Sequence, residues 1–158
     1  MIPEQSRLKR PPTILIVEDS EDDYEAMVRA LSREDKLTDN LVHCEGGKEA
    51  LAYLEKCKPS YNGKKNQPPD LILLDLNMPG ISGRNVLMRL KSDAELKNIP
   101  IIVLTTSDDP RDIEDCYDAG ANTFIVKPVE LDNFTIAIQN LKEYWFEVAV
   151  LPEKDDPS

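Results

Sequence analysis

The sequence predicts an α/β fold, a five-stranded doubly wound parallel sheet with helices on both faces, and three observations carry that expectation. Short aliphatic or β-branched runs recur along the 158 residues. Each run is followed by a segment whose apolar residues repeat at helical spacing, and clusters of Pro, Gly, Asp and Asn separate the segments. Strict alternation of strand and helix requires parallel strands joined by right-handed crossovers, which puts helices on both faces. The strand order 2-1-3-4-5 is expected as the common one for a chain of five such units, since periodicity alone does not define it.

The elements follow in order. Thr13-Ile14-Leu15-Ile16-Val17 is a β-branched first strand, and Ser20-Glu21-Asp22-Asp23 resembles a capped helix start leading into Tyr24 to Arg33. A second strand is expected over Asn40 to Glu45 and a helix from about Gly47 to Lys56. The third strand, Leu71 to Asp75, is an aliphatic run bounded by Pro68-Pro69-Asp70 and Pro79-Gly80, the pattern of a strand covered on both faces. A helix over Gly83 to Lys91 and a strand over Ile101 to Thr105 come next. Asp109-Pro110, with Asp112, marks a helix N-terminus, and that helix should stop near Ala119-Gly120. Thr123 to Val126 forms the fifth strand, and Leu131, Phe134, Ile138, Leu141 and Trp145 define the buried stripe of a fifth helix.

Two segments depart from this economy. Lys58 to Pro69 is polar and Pro-rich, longer than a usual connection, and reads as an exposed insertion. Phe146, Val148, Val150 and Leu151 continue an apolar series that one helix face cannot bury, so this tail either packs on a partner chain or folds back over its own core. The expected organisation is an N-terminal extension over 1–12, one domain over 13–145, and a tail over 146–158 available for a dimer contact.

Composition excludes several classes of function. A net charge of −11 and a pI near 4.6 argue against a nucleic-acid partner, which needs clustered Lys and Arg. Met1 to Pro12 carries Arg7, Lys9 and Arg10 but no apolar stretch of a secretory signal, and no segment approaches the roughly 20 apolar residues that cross a bilayer. A cytoplasmic location is expected, without membrane contact. Cys44, Cys57 and Cys116 lie far apart with no metal or redox spacing and read as small apolar fillers. His43, the single histidine, is read as structural, and Gly46-Gly47-Lys48 lacks the spacing of a phosphate-binding loop.

The chemistry concentrates at strand ends. Asp75 closes a buried run, at the carboxyl end of a strand, which is where open α/β sheets bind ligands. With strands one, three, four and five side by side, Glu18, Asp19, Asp75, Thr105 and Lys127 share one rim. Clustered carboxylates repel, by about 4 kcal/mol for two unit charges roughly 4 Å apart at an effective dielectric near 20, so a carboxyl group keeps its proton or a cation sits among them. Mg2+ suits such a site because it takes oxygen ligands and commonly uses one or two carboxylates, and Asn77 can add its backbone carbonyl. Lys127 follows an apolar run, where a cation needs an anion, and Asp75 is the expected partner. A carboxylate between two cations can act as nucleophile toward a phosphoryl group, with the Thr105 hydroxyl donating to a phosphoryl oxygen.

Val17-Glu18-Asp19, Leu73-Leu74-Asp75-Leu76-Asn77-Met78-Pro79-Gly80, Val103-Leu104-Thr105 and Val126-Lys127-Pro128 resemble, in this order, the motifs of a response-regulator receiver domain of the CheY-like kind. The resemblance covers about Thr13 to Lys142 and implies a flavodoxin-like fold. It implies that Asp75 accepts a phosphoryl group from a phosphohistidine of a sensor histidine kinase. Glu18, Asp19, Asp75 and the Asn77 carbonyl would organise Mg2+, and Lys127 and Thr105 would contact the phosphate. It also implies a switch in which Thr105 moves toward the phosphate and Phe124 turns inward, Phe standing where Tyr is frequent. Glu18 stands where many members have Asp, and its longer side chain suits contact through a water, leaving Asp19 the firmer ligand.

Leu141-Lys142-Glu143-Tyr144-Trp145-Phe146, with Leu151-Pro152, is similar to the single-domain regulators that pair with bacterial phytochrome kinases. That likeness implies a phytochrome histidine kinase as donor and a homodimer formed through the fourth helix, fifth strand, fifth helix and tail. With no output domain expected, the signal would pass to a downstream protein. Two other readings are open. A phosphatase of the haloacid-dehalogenase type also forms an aspartyl phosphate with Mg2+, but it needs a second Asp as general acid where this sequence has Asn77. A binding module that kept the fold without being phosphorylated is the third.

Overall fold

The computed structural model describes residues 12–32 and 40–152. Residues 1–11 of the N-terminal extension, 33–39, which include Arg33, and the charged end 153–158 lie outside the described residues. The chain alternates strand and helix as β1 (Ile14–Val17), α1 (Glu21–Ser32), β2 (Leu41–Cys44), α2 (Gly47–Glu55), β3 (Leu71–Asp75), α3 (Gly83–Lys91), β4 (Ile101–Thr105), α4 (Pro110–Asp118), β5 (Thr123–Val126) and α5 (Leu131–Glu143). The five strands form one parallel sheet in the order β2-β1-β3-β4-β5, as the alternation predicts.

Each central strand is buried along its length because alternate residues serve opposite faces. Ile14, Ile16, Leu71, Leu73, Ile102 and Leu104 pack with Met27 and Leu31 of α1 and Phe134 and Ile138 of α5. Leu15, Val17, Ile72, Leu74, Ile101 and Val103 pack with Leu54 of α2, Val86, Leu87 and Leu90 of α3, and Cys116 of α4. Fully burying one such aliphatic side chain contributes about 1.5–3 kcal/mol, so β1, β3 and β4 form a stiff base for whatever stands at their ends.

Local signals explain the helix starts. The Ser20 hydroxyl accepts from the Asp23 backbone N–H, Ser82 caps α3 by accepting from Asn85, and Asp109 caps α4 by accepting from Arg111, with Pro110 in the first turn. The acidic Glu21-Asp22-Asp23 forms the first turn of α1, the helix start expected of it, and is favourable against the helix dipole.

Three expectations change in detail. β2 is shorter than Asn40 to Glu45, because only Leu41–Cys44 find partners along β1. Leu131 is 60% exposed, since the first turn of α5 lies beyond the sheet and only Phe134, Ile138 and Leu141 reach the core. The tail divides: α5 runs into a π-turn over Tyr144–Val148, Trp145 and Phe146 pack against the α1–α5 face and Leu151 is buried, while Tyr144, Val148 and Val150 stay exposed.

The insertion is exposed at its tip, as expected, yet its flanks are tied down. Lys58 pairs with Asp93 and Glu55 at 2.5 and 2.9 Å, Ser60 donates to Glu95, and the Tyr53 hydroxyl donates to the Gln67 carbonyl. The three cysteines are buried, and burial pushes the Cys44 thiol up to about 12, consistent with inert filling. Among the described residues no helix is long and apolar enough to cross a membrane.

Candidate functional site

Strand register brings the site together. Val17 of β1 pairs with Leu74 of β3, so Glu18 stands level with Asp75; Asp75 in turn pairs with Leu104 of β4, and Thr105 pairs with Val126 of β5. The Lys127 N–H donates to the Thr105 carbonyl at 2.7 Å, continuing that ladder one residue beyond β5. The chain leaves β1 toward β2 on one side and returns through β3 on the other, so the rim lies at the topological switch point, where open sheets bind ligands.

Glu18, Asp19 and Asp75 each offer a carboxylate oxygen within 4.8 Å of the other two. Glu18 and Asp75 are buried and Asp19 is exposed, so the cluster opens to solvent on one side only. Burial, then a hydrogen bond shared with Asp75, pushes the Glu18 carboxyl up to about 7, against the opposing pull of Lys127. Lys127 lies 2.5 Å from Glu18 Oε1, 2.9 Å from Asp23 Oδ2 and 3.5 Å from Asp75 Oδ2. Burial favours the neutral amine, but the bonds to Glu18 and Asp23 and the charges of Asp75 and Glu18 together outweigh it and raise the Lys127 pKa.

Asp75 pairs with Lys127 as expected, but Glu18 and Asp23 are both closer, because the side chain reaches across the mouth of the rim toward α1. Asp23, which the sequence places in a solvated helix start, is a member of the site. The available signal is its closeness in sequence to Asp19, across the entry into α1.

Asn77 also contributes more than a backbone carbonyl. Its N–H donates to Asp75 Oδ1 at 3.1 Å, and its side-chain amide donates to Thr105 Oγ1 at 2.9 Å. The Ser107 N–H donates to the same hydroxyl at 3.3 Å. Thr105 therefore accepts two hydrogen bonds while its own O–H proton is left to donate. Phe124 stands apart from the rim, half-buried on the α4 face of β5 opposite Val103, with its N–H donating to the Tyr117 hydroxyl.

Backbone packing holds Asp75 in place. A Cβ at Gly83 would run into the Asp75 carbonyl oxygen, so only glycine lets the start of α3 close on the end of β3, where the Gly83 N–H donates to the Leu76 carbonyl. On the other flank His43 stacks face to face on Tyr24 at 3.6 Å and its Nε2 lies 2.8 Å from the Glu18 carbonyl oxygen, the structural role expected of it.

The donor set tests the fit of a metal directly. Three hard oxygen donors converge, one of them held partly protonated by burial and a like-charged neighbour, and a divalent cation would relieve both. The cluster is a divalent-cation-binding site of the receiver type.

An open parallel sheet carrying this acidic cluster and a buried lysine at its switch point defines the class of aspartate-based signalling receivers. The chain belongs to the response regulator receiver domain family, whose family model matches residues 14–139. It is 34% identical over 142 residues to response regulator Rcp1 of Synechocystis sp. (strain ATCC 27184 / PCC 6803 / Kazusa), covering 90% of this chain and 94% of that protein. Among solved structures it is similar to the phosphorylated cyanobacterial phytochrome response regulator RcpA, with a TM-score of 0.83 and 36% identity over 91% of this chain and all of that one. The Mn(2+)-bound form of Rcp1 matches with a TM-score of 0.80 and 34% identity over 90% of this chain and all of that one.

Proposed function

We propose that Asp75 is the phosphoryl acceptor of a two-component switch, loaded by a phytochrome-type sensor histidine kinase with Mg2+ bound at Glu18, Asp19, Asp75 and the Asn77 carbonyl. The observation that carries this reading is the convergence of those three carboxylates with the buried Lys127 at the switch point. An Asp75 carboxylate oxygen forms the new P–O bond as the P–N bond to the donor imidazole breaks, and the imidazole leaves with a proton. Lys127 donates to one phosphoryl oxygen and the Thr105 hydroxyl to another. The cation, when bound, neutralises charge on the transferring group and screens the carboxylates from it.

A switch follows from the same contacts. Drawing Thr105 toward the phosphate vacates space beside β5, and the Phe124 ring turns inward to fill it, a small two-state packing change. The readout surface in this reading is the α4–β5–α5 face with the tail, where Tyr117, Val126, Leu131, Ile136 and Val148 are exposed. We take 13–145 as the receiver unit and the 146–158 tail as part of a homodimer contact, through which a downstream protein is engaged. The phytochrome pairing is supported by the likeness to RcpA and to the bacteriophytochrome response regulator AtBRR, at 38% identity. A phosphatase reading is weaker because the Asn77 amide, bonded to Thr105, offers no general acid where such an enzyme needs one.

The decisive experiment is phosphorylation by a candidate kinase or a small phosphodonor. Asp75→Asn is expected to abolish acid-labile labelling, and unchanged labelling would sink the assignment. Sedimentation with and without beryllofluoride tests the dimer.

A further inference from the structure

We infer that Asp23 is a positioning residue for phosphoryl acceptance: it holds the Lys127 ammonium toward α1, back from Asp75, and is the partner that Lys127 releases when a phosphoryl group arrives. This rests on the reading of Asp75 as acceptor. The ammonium lies 2.9 Å from Asp23 and 3.5 Å from Asp75, so it is drawn to Asp23 rather than to the acceptor. Its hydrogen bonds are to Glu18 and Asp23.

The two bonds differ in how easily they yield. The Glu18 side chain is fully buried, so water does not reach it to take the place of the lysine. The Asp23 side chain is 43% exposed, and water replaces the lysine there at small cost. Lys127 thus reaches a phosphoryl oxygen by giving up Asp23 alone. Asp23 is fixed by the first turn of α1, its N–H donating to the Ser20 hydroxyl, and it lies outside the three carboxylates that converge for the cation. It acts through Lys127.

The test is a beryllofluoride titration of the full chain at saturating Mg2+, followed by fluorine NMR. Asp23→Asn, which keeps the shape and removes the charge, is expected to bind the mimic about threefold more tightly. Asp22→Asn removes the same charge from an exposed neighbour on the same turn and should match the wild type, while Asp23→Glu should restore wild-type binding. Equal affinities for Asp23→Asn and Asp22→Asn, or weaker binding by Asp23→Asn, would overturn the inference. A wild-type chain that does not bind the mimic at all overturns the acceptor reading, and the role of Asp23 with it. A wild-type response that disappears in Asp75→Asn keeps the acceptor reading, so the two failures are distinguishable.

Discussion

Each end of the sheet holds a partly buried lysine, and the two are held in opposite ways. At the carboxyl end, Lys127 meets Glu18, Asp23 and Asp75, all anionic partners. At the amino end, Lys91 donates to the carbonyls of Lys97 and Ile99 and to Asn122 Oδ1, each at 3.0 Å, all neutral. Burial lowers the Lys91 pKa, whereas the anions around Lys127 overcome burial and raise its own. The difference teaches that a buried ammonium is not by itself a mark of function. Lys91 ties the end of α3 to the segment before β4 and to Asn122, which also accepts from the Ile101 N–H. The rim instead carries more carboxylates than its one ammonium can neutralise, and that surplus is what makes it a place for a cation.

Substituting the two lysines is the sharpest way to break the comparison. Lys127→Met should weaken beryllofluoride binding at saturating Mg2+ by about a hundredfold, because the lost donor served a buried charged contact. The fold should survive, since Glu18 can take up a proton when its partner is gone. Comparable mimic affinity in the two proteins would show that Lys127 is as structural as Lys91.

Gly83→Ala comes next in size. The added methyl collides with main chain at Asp75 rather than with a flexible side chain, so we expect a loss of about 3 kcal/mol by chemical denaturation. At the other end Gly120 faces the aliphatic stem of Lys91 and holds a φ of +106°, so a larger residue there is strained by the backbone rather than by main-chain collision. Lys91→Met should cost about 1 kcal/mol of stability, since the Ile99 carbonyl is only part-buried and the other acceptors are exposed, and leave Mg2+ affinity unchanged. A drop in Mg2+ affinity with Lys91→Met would show that the two ends are coupled through α3.

The same contrast marks what a sequence can reveal. Glu18, Asp19, Asp75, Thr105 and Lys127 were legible because each directly ends or follows an apolar run, and parallel topology carries all such ends to one rim. Asp23 was less so: it lies close to Asp19 in sequence, but its pairing with Lys127 comes from packing between α1 and the end of β5. The second role of Asn77 depends likewise on the separation of β3 and β4 loops, which no spacing encodes. Leu131 fits the helical stripe perfectly well yet is exposed, since periodicity defines a face but not where the sheet beneath it stops. The apolar tail gave two readings, and the structure divides it residue by residue: Leu151 turns in, Val148 and Val150 turn out.

The smallest expected effect separates the ends by pH. Glu18 has its carboxyl raised from the ordinary 4.5 to about 7, chiefly by burial. A cation needs the ionised form, so Mg2+ affinity should rise about tenfold between pH 6 and pH 8 as that proton is displaced. Stability of the cation-free protein should move in the opposite direction. A folded-state pKa above the unfolded one means the native state binds the proton more tightly, so this contribution is full below about pH 4.5 and is lost as pH rises through about 7. Glu18→Gln, neutral at every pH, should flatten both trends. Calorimetric Mg2+ titrations and thermal melts across this range check the pair, and a Mg2+ affinity independent of pH in the wild type would mean that Glu18 is already ionised among its neighbours, with Lys127 winning over burial.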